Sequence, residues 1–177
     1  MATDVVLRAF TEEDVTGFKR YWDQLEPATD RDGMSYASTT KDDQSFAEDG
    51  FLSDERGRLA VIADGTFAGF VGWRRRQNAG NSMAWCWNIG VGILRDHRGQ
   101  GIGTAAQAQL VDYLFATTPV ERIEASTDEE NLAEQHVLES LGFTREGVLR
   151  AGNFAQGRWR DMVMYSILRS EHQRGDR

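Results

Sequence analysis

Three alternate glycines, Gly99, Gly101 and Gly103, lie where an apolar run changes its spacing. Before them the apolar residues alternate as in a strand, and after them they recur at helical spacing up to Pro119. The first amides of a helix lack intrahelical partners and carry partial positive charge, and glycine lets a ligand approach the backbone closely. A strand, a tight glycine loop and a helix in this order therefore predict a site for an anion such as a pyrophosphate.

The backbone amides from about Gln100 to Thr104 are placed to surround this anion, and Arg98 can add charge at its edge. The spacing differs from the common nucleotide-binding fingerprints, because it lacks G-x-G-x-x-G and no Lys-Ser or Lys-Thr pair ends the loop. A loop with a purely structural role is the alternative, so the signal needs support from the rest of the chain.

The elements that must hold this loop follow from apolar periodicity and turn residues. The pattern predicts the order β, α, α, β, β, β, α, β, α, β, β in a mixed α/β single domain. The sequence TEED, from Thr11, has the spacing of a capping box for a helix through about Leu25, and Gly142 is placed to end a later helix. A polar segment over residues 26–45 is followed by a short helix ending near Leu52. The predicted strands cover residues 5–9, 58–64, 67–76, 82–93, 122–127, 144–151 and 159–168.

Length and composition favour one globular domain. The chain has 177 residues, of which 40% are hydrophobic and 27% are charged. No apolar stretch approaches the roughly 18 residues that a membrane span needs, and no secretory signal is visible at the amino terminus. The single cysteine, Cys86, cannot form an internal disulfide, which suits a reducing compartment. We therefore expect a cytoplasmic protein without a membrane partner.

The charge balance bears on possible partners. A formal net charge of -8 disfavours nucleic acid, because phosphate neutralisation needs clustered lysines and arginines. The one basic run, residues 74–76, is split between two faces by strand alternation and is expected to be solvated. An acidic surface favours encounter with cationic ligands, of which amines are the obvious class.

Taken with its context, the glycine loop resembles the acyl-CoA signature of the GNAT superfamily of N-acetyltransferases. That signature is Arg or Gln, two residues, Gly, one residue, then Gly or Ala, and Arg98, Gly101 and Gly103 match it. The stretch NLAEQHVLESLGF is similar to the second conserved helix of the superfamily, which Asn131 would open and the Gly-Phe pair at 142–143 would close. The resemblance covers roughly residues 5–168. It is strongest to the RimJ/RimL-type branch, whose members acetylate ribosomal-protein N-termini or small amines.

The resemblance implies a mixed, largely antiparallel twisted sheet with helices on both faces and a central pair of strands that splay apart. A GNAT domain is expected over residues 1–170, followed by a frayed tail over 171–177. The splayed strand, residues 88–93, is expected to pair with the pantetheine arm of the donor as an added strand would. Gly90 and Gly92 are expected to mark a bulge in it.

Acetyl-CoA is the co-substrate that the resemblance implies, and no metal is implied. A backbone amide near Val91 is expected to hold the oxyanion that forms on the acetyl group. The loop amides would hold the pyrophosphate, and Asn131 would bind the pantetheine chain, cap its helix, or do both. The implied acyl-CoA contacts are Val91, Ile93, Arg98, Gly99, Gln100, Gly101, Ile102, Gly103, Thr104 and Asn131.

Both usual acid-base positions of the branch differ in this chain. Relatives often carry Glu where this chain has Asn88, and where it has Glu134 they carry a Ser proposed to protonate the leaving thiolate. Asn88 cannot act as a base but can orient a substrate or a water through hydrogen bonds. Glu134 is either a displaced acid-base group or a solvated helix carboxylate. A base matters less for an α-amine with a pKa of about 8 than for a lysine-like amine.

Other side chains are interpreted as structural unless the fold brings them to the acceptor. Cys86 is expected to be a packed thiol, Tyr165 a core residue or an acceptor contact, and no histidine has metal-ligand spacing. Residues 157–161 are a candidate hairpin edge for a homodimer. Six carboxylates of the variable segment are candidates for the acceptor cleft, although most of them are expected to be solvated: Asp30, Asp32, Asp42, Asp43, Glu48 and Asp49. Aromatic side chains that line either a pocket or the core are Trp22, Tyr36, Trp85 and Trp87.

The predicted function is acetyl transfer from acetyl-CoA to a primary amine by direct attack in a ternary complex. The acidic balance favours a small cationic amine or an antibiotic-like metabolite, and a protein N-terminus is an alternative acceptor. Two other function classes stay open: acyl transfer from the phosphopantetheine of a carrier protein, and a non-catalytic acyl-CoA-binding module. The acceptor depends on residues 26–52, which carry no recognisable motif.

Overall fold

A mixed α/β arrangement extends through the residues that the structure describes, which in this computed structural model are 3–24, 39–81, 83–155 and 157–175. The first half contains β1 (Val5–Arg8), α1 (Glu12–Gln24), α2 (Thr39–Asp49), β2 (Arg56–Ala63), β3 (Thr66–Gln77), β4 (Trp85–Ile93) and a short turn of 3₁₀-helix (Arg95–His97). The second half contains α3 (Ile102–Thr117), β5 (Arg122–Asp128), α4 (Leu132–Ser140), β6 (Thr144–Ala155), β7 (Arg158–Leu168) and α5 (Arg169–Gly175).

The described strands form one sheet in the order β1-β2-β3-β4-β5-β7-β6. Neighbouring strands are antiparallel except β4 and β5, which are parallel. The β4–β5 pairing covers only residues 87–89 of β4, opposite residues 123–125 of β5, although β4 continues to Ile93. The two central strands therefore splay apart after Ile89, as predicted, and none of the described strands pairs with the β5-facing backbone of residues 90–93.

Two apolar clusters hold helices against opposite faces of the sheet. Alternate residues of β2 point to different faces, so Val61 enters the larger cluster and Ala60 the smaller one. The larger cluster packs α3, including the fully buried Leu110, against the sheet. The smaller cluster is aromatic and packs Phe18 of α1 against Phe70 of β3, with ring centroids 4.9 Å apart. The single domain with helices on both faces matches the expectation from sequence.

One half of the predicted capping box forms at the start of α1, where the Thr11 amide donates to Asp14 Oδ2 at 2.8 Å. The other half does not form, because the Asp14 amide donates to the backbone carbonyl of Thr11 at 3.1 Å and the Thr11 hydroxyl donates to Asp14 Oδ2 at 2.8 Å. Arg8 of β1 also forms a bidentate ion pair with the buried Asp14 carboxylate. These contacts fix the angle at which the chain leaves β1 and enters α1.

Two local predictions are wrong, the end of the short helix and a bulge in β4. The short helix ends at Asp49 rather than near Leu52, because Leu52 instead bridges Gly57 as an extended residue. The described part of the expected tail is helical: α5 continues to Gly175, and the ring of His172 stacks on Phe115 at 5.1 Å. Fraying of the tail over residues 171–177 stays a prediction.

The bulge expected at Gly90 and Gly92 is absent, since the β3–β4 register is continuous from Gly69 opposite Ile93 to Gln77 opposite Trp85. The register shift lies one strand pair away, at Val61 in the β2–β3 ladder. Across the described part of the chain, no helix is long and apolar enough to span a membrane.

Candidate active site

The glycine loop owes its shape to two left-handed residues. Gly99 has φ 72° and Gly101 has φ 76°, a region that favours glycine because it lacks a Cβ. Gly101 precedes the first residue of α3, and its carbonyl accepts a hydrogen bond from the Ala105 amide at 3.0 Å. Gly103 lies inside the first turn of α3, where a Cβ would make an ordinary contact of 3.5 Å with Ile93. The backbone therefore requires glycine at positions 99 and 101 but not at 103.

The loop is tied to the elements around it. Arg98 Nε donates to the Ile93 carbonyl at 2.9 Å, which joins the loop to the end of β4. Gln100 Nε2 donates to the Asp96 carbonyl at 3.1 Å, so its side chain folds back on the preceding turn. The Arg95 amide donates to Gln24 Oε1 at 2.9 Å, which attaches the same turn to the end of α1. The amides at the start of α3 are thus presented by a well-anchored loop.

A cavity of about 580 Å³ lies in front of this loop, between the end of β4 and the starts of α3 and α4, and we call it the loop cavity. Most of the predicted acyl-CoA contacts meet there, but the side chains of Gln100 and Ile102 do not line it. Ile102 is instead buried in the larger apolar cluster. The loop cavity is lined by Tyr21, Val91, Ile93, His97, Arg98, Gly99, Gly101, Gly103, Thr104, Gln107, Asn131, Ala133, Glu134 and Val137.

Asn131 and Glu134 reach the loop cavity from the start of α4. Asn131 caps the helix, because its Oδ1 accepts a hydrogen bond from the Glu134 amide at 3.2 Å. Burial raises the pKa of the Glu134 carboxyl, and a 3.4 Å hydrogen bond from Gln107 offsets part of that rise. Gln107 is itself almost fully buried. Glu134 is therefore a partly desolvated carboxyl facing a cavity rather than a solvated helix carboxylate.

A second cavity, of about 420 Å³, opens on the other side of β4. Three arginines line it, and we call it the arginine cavity. Asn88 lies buried in it, and Arg74 Nε donates to Asn88 Oδ1 at 3.3 Å. Val91 lines both cavities, so they adjoin at this residue, just past the point where β4 leaves β5. The arginine cavity is lined by Ser45, Phe51, Arg56, Gly57, Arg58, Phe70, Gly72, Trp73, Arg74, Asn88, Ile89, Gly90 and Val91.

The other predicted candidates lie away from both cavities. Cys86 is buried, and burial together with the Glu124 carboxylate raises the pKa of its thiol to about 11, which agrees with a packed thiol. Tyr165 is also buried, and its hydroxyl donates to Glu139 at 3.0 Å, so it is a core residue. Trp87 is a core residue as well.

Among the described residues, none of the carboxylates considered for the acceptor cleft lines either cavity. Asp42 pairs with Arg58 at 3.1 Å and Asp43 pairs with Lys19 at 2.8 Å. Neither cavity is lined by Glu48 or Asp49. Asp30, Asp32 and Tyr36 lie outside the described residues. Within those residues no group of His, Cys, Asp or Glu is arranged to hold a metal ion.

Sequence reasoning missed the three arginines of the arginine cavity. Arg56 and Arg58 alternate along β2, and Arg74 ends the buried part of β3, so each alone resembles a solvated strand-end charge. Strand alternation does separate Arg75 from Arg74, as predicted, because Arg75 stacks on Trp85 while Arg74 contacts Asn88. Only the register that places Arg56 opposite Arg74 brings these charges together.

Comparison with known proteins agrees with this geometry. The family model of the acetyltransferase (GNAT) domain matches residues 4–144. The N-acetyltransferase p20 of Bacillus licheniformis is 30% identical over 178 residues, which cover 95% of this chain and 94% of that protein.

Two solved structures share the fold. RimJ of Mycobacterium smegmatis, solved in complex with CoA-disulfide, has a TM-score of 0.74 and 27% identity, covering 94% of this chain and 83% of that one. The spermidine/spermine N-acetyltransferase SpeG of Vibrio cholerae has a TM-score of 0.81 and 20% identity, and the match covers 98% of both chains. This similarity shows a shared fold. The chain therefore belongs to the GNAT family and is an N-acetyltransferase.

Proposed function

We propose that the chain transfers the acetyl group of acetyl-CoA to a primary amine by direct attack in a ternary complex. The observation that carries this proposal is that the loop cavity and the arginine cavity adjoin at Val91, just past the point where β4 leaves β5. One cavity can take the donor and the other the acceptor, with the reacting atoms at their junction. Such an arrangement removes the need for an acyl-enzyme intermediate, because both substrates are held at once.

The donor fits the loop cavity for three reasons. The free amides at the start of α3 and the missing Cβ atoms at Gly99 and Gly101 suit a pyrophosphate. The edge of β4 over residues 90–93 has no partner among the described strands, although Arg98 already donates to the Ile93 carbonyl. This edge suits the amides of a pantetheine arm, which would pair with it as an added strand. Asn131 uses only its Oδ1 for the helix cap, so it can also contact this arm.

In the chemical step the amine nitrogen attacks the acetyl carbonyl carbon, the N–C bond forms and the C–S bond breaks. A backbone amide near Val91 would stabilise the oxyanion, because a fixed dipole is available where negative charge develops. The amine releases a proton and the CoA thiolate takes one up. Glu134 faces the loop cavity with a raised pKa, so it can supply the thiolate with that proton.

The attacking amine loses its proton without a carboxylate base at position 88. Asn88 has no basic site, and the cationic Arg74 beside it disfavours an ammonium in the arginine cavity. A nearby positive charge lowers the pKa of an amine, so the amine would enter as the neutral nucleophile and release its proton to water after attack. SpeG is named for spermidine and spermine, but three arginines are poor neighbours for a polycation.

Steady-state kinetics with acetyl-CoA and a panel of primary amines tests this proposal. We expect release of CoA thiol only when an amine is present, and intersecting lines when the concentrations of both substrates are varied. Parallel lines would contradict direct attack, since they indicate a covalent acyl-enzyme. Rapid transfer from an acylated carrier protein, with none from acetyl-CoA, would replace CoA as the donor.

A further inference from the structure

The arginine cavity has a pair of like charges facing each other. Arg56 of β2 and Arg74 of β3 occupy directly opposite positions in the antiparallel register. Like charges at such positions repel one another unless an anion lies between them. Both side chains are exposed at the cavity mouth, and their hydrogen bonds go to neutral oxygens, Ser45 Oγ at 2.8 Å and Asn88 Oδ1 at 3.3 Å. Among the described residues, neither arginine pairs with a carboxylate.

The floor of the cavity carries a buried donor without an acceptor. Asn88 is 8% exposed, and its Oδ1 is occupied by Arg74, which fixes the orientation of the amide. Its Nδ2 is buried and, within the part of the chain that is described, makes no hydrogen bond. A buried N–H donor without an acceptor is rare and unfavourable, so this atom points to a ligand oxygen.

No carboxylate lines this cavity among the described residues, and two carboxylates close to it have cationic partners. Asp42 is paired with Arg58, the third arginine of the cavity. Glu124 lies opposite Asn88 on the neighbouring strand and is paired with Arg122 at 2.8 Å and Arg76 at 3.3 Å. Within the lining of the cavity, the groups left for a ligand are therefore donors: two guanidinium groups and one amide N–H.

We infer that the acceptor is a primary amine whose other end is an oxyanion, a carboxylate or a phosphate, bound by Arg56, Arg74 and Asn88. This inference rests on the proposed function, because it names the substrate class of the same site. Guanidinium groups bind both oxyanions through charge-assisted hydrogen bonds. The inferred acceptor differs from the small cationic amine that the negative net charge of the chain favours, because the lining of the cavity is positively charged.

The sheet also sets the length of the acceptor. Asn88 and Gly90 point to the same face of β4, two residues apart, which is about 7 Å along a strand. The oxyanion would lie at Asn88 and the amine beyond Gly90, near the junction of the two cavities at Val91. An amine and an oxyanion on the same carbon atom are too close together to bridge these points, so an ω-amino acid fits better than an α-amino acid.

Matched acceptors test this inference directly. The enzyme is assayed with acetyl-CoA and ε-aminocaproate, hexylamine or hexamethylenediamine, which differ only in the charge at the far end. We expect kcat/KM for ε-aminocaproate to exceed that for the diamine by at least about tenfold. The phosphonate isostere, aminopentylphosphonate, distinguishes the two oxyanions, and glycine tests the spacing. Equal values for the three amines, or preference for the diamine, would overturn the inference.

Two substitutions and a matched control separate charge recognition from folding. Arg74→Gln is expected to raise KM for ε-aminocaproate by about tenfold while the Kd of acetyl-CoA stays the same. Arg75→Gln is the matched control, because Arg75 belongs to the same run but contacts Trp85 and Glu55. Asn88→Asp is expected to shift the preference toward the diamine, since it replaces the buried donor with an acceptor.

Failure of the inferred acceptor class and failure of the proposed acetyl transfer give different results. If acetyl-CoA binds and diamines are the better acceptors, the oxyanion inference is wrong and the proposed function stands. If acetyl-CoA does not bind and no amine is acetylated, the proposed function is wrong, and the inference fails with it.

Discussion

At the scale of single residues, the left-handed backbone of Gly99 and Gly101 restricts these positions more than their surroundings do. Neither glycine would bring a Cβ within 4 Å of another group, so the space beside them is free. In the proposed complex the pyrophosphate of acetyl-CoA occupies that space. A side chain there would both strain the loop and exclude the anion.

Replacing Gly101 by valine tests this role. We expect Gly101→Val to weaken acetyl-CoA binding by at least about tenfold, measured by calorimetric titration. Gly65→Val is the matched control, because Gly65 has φ 79° and equally free space but lies in the turn between β2 and β3. Loss of affinity in both variants, or in neither, would contradict the pyrophosphate assignment.

In the proposed mechanism, Glu134 is the residue whose protonation bears most directly on the rate. Because burial raises its pKa, the carboxyl keeps its proton to higher pH than an exposed glutamate and loses it as the pH rises through that value. We expect Glu134→Gln to lower kcat about tenfold, and the ratio of wild-type to variant kcat to fall as the pH increases. Glu129→Gln, at an exposed carboxylate outside both cavities, is the control.

Thermal unfolding separates this effect from loss of structure. A carboxyl whose pKa is raised in the folded state costs stability once it ionises, so the wild type loses stability as the pH rises from the ordinary carboxyl range through the raised value. The Glu134→Gln variant lacks that loss and should unfold at no lower temperature at pH 8. A ratio of kcat values that stays constant with pH would show that Glu134 is not the acid.

At the scale of elements, the start of α1 depends on Asp14. Burial alone would raise the pKa of Asp14, but hydrogen bonds from Arg8 and Thr11 hold it below its ordinary value. We expect Asp14→Ala to destabilise the protein by about 1–2 kcal/mol at pH 7, since it removes the hydrogen bonds from Thr11 and the ion pair with Arg8. The exposed Glu12→Ala is the control, with an expected loss below about 0.5 kcal/mol.

The pH dependence of the same variant gives a second check in chemical denaturation. A lowered pKa stabilises the fold above the ordinary carboxyl range, and this contribution disappears as the pH falls through the lowered value. The difference between wild type and Asp14→Ala should therefore shrink in acid. A difference that is constant with pH would mean that the carboxylate charge of Asp14 plays no part.

Elements with strong local signals were predictable from the sequence. Alternating apolar residues defined β4, helical spacing defined α3, and Gly142, at φ 84°, ended α4 as expected. The arginine cavity was not predictable, because Arg56 and Arg74 are far apart in the chain and meet only through register. The bulge predicted at Gly92 was wrong, because glycine is needed there for packing. A Cβ at this position would lie 2.5 Å from the Phe70 ring, a contact that the sequence alone does not reveal. The roles of the individual site residues stay predictions.

At the scale of the whole molecule, net charge and local charge point in opposite directions. The chain carries -8, yet the arginine cavity presents Arg56 and Arg74 without carboxylate partners among the described residues. Net charge governs the long-range field and the encounter with a ligand, whereas the groups within hydrogen-bonding distance govern which ligand stays bound. Composition alone therefore favoured a cationic acceptor.

The homodimer expected at residues 157–161 also belongs to this scale and stays a prediction. Trp159 is 67% exposed at the β6–β7 hairpin and packs edge to face on Phe154, with ring centroids 5.4 Å apart. We expect light scattering to give the mass of a dimer for the wild type and a smaller mass for Trp159→Ser. Met83→Ser, at an 83% exposed methionine beside β4, should leave the mass unchanged. A monomeric wild type would contradict the prediction.

Calorimetric titration of the purified protein with acetyl-CoA, and in parallel with acetyl-phosphopantetheine, tests the central claim most directly. The proposed donor site predicts micromolar binding of acetyl-CoA that is mostly lost when the adenosine diphosphate end is missing, because the loop amides at Gly99 and Gly101 then have no pyrophosphate to hold. Equal binding of the two compounds, or no binding of acetyl-CoA, would contradict it.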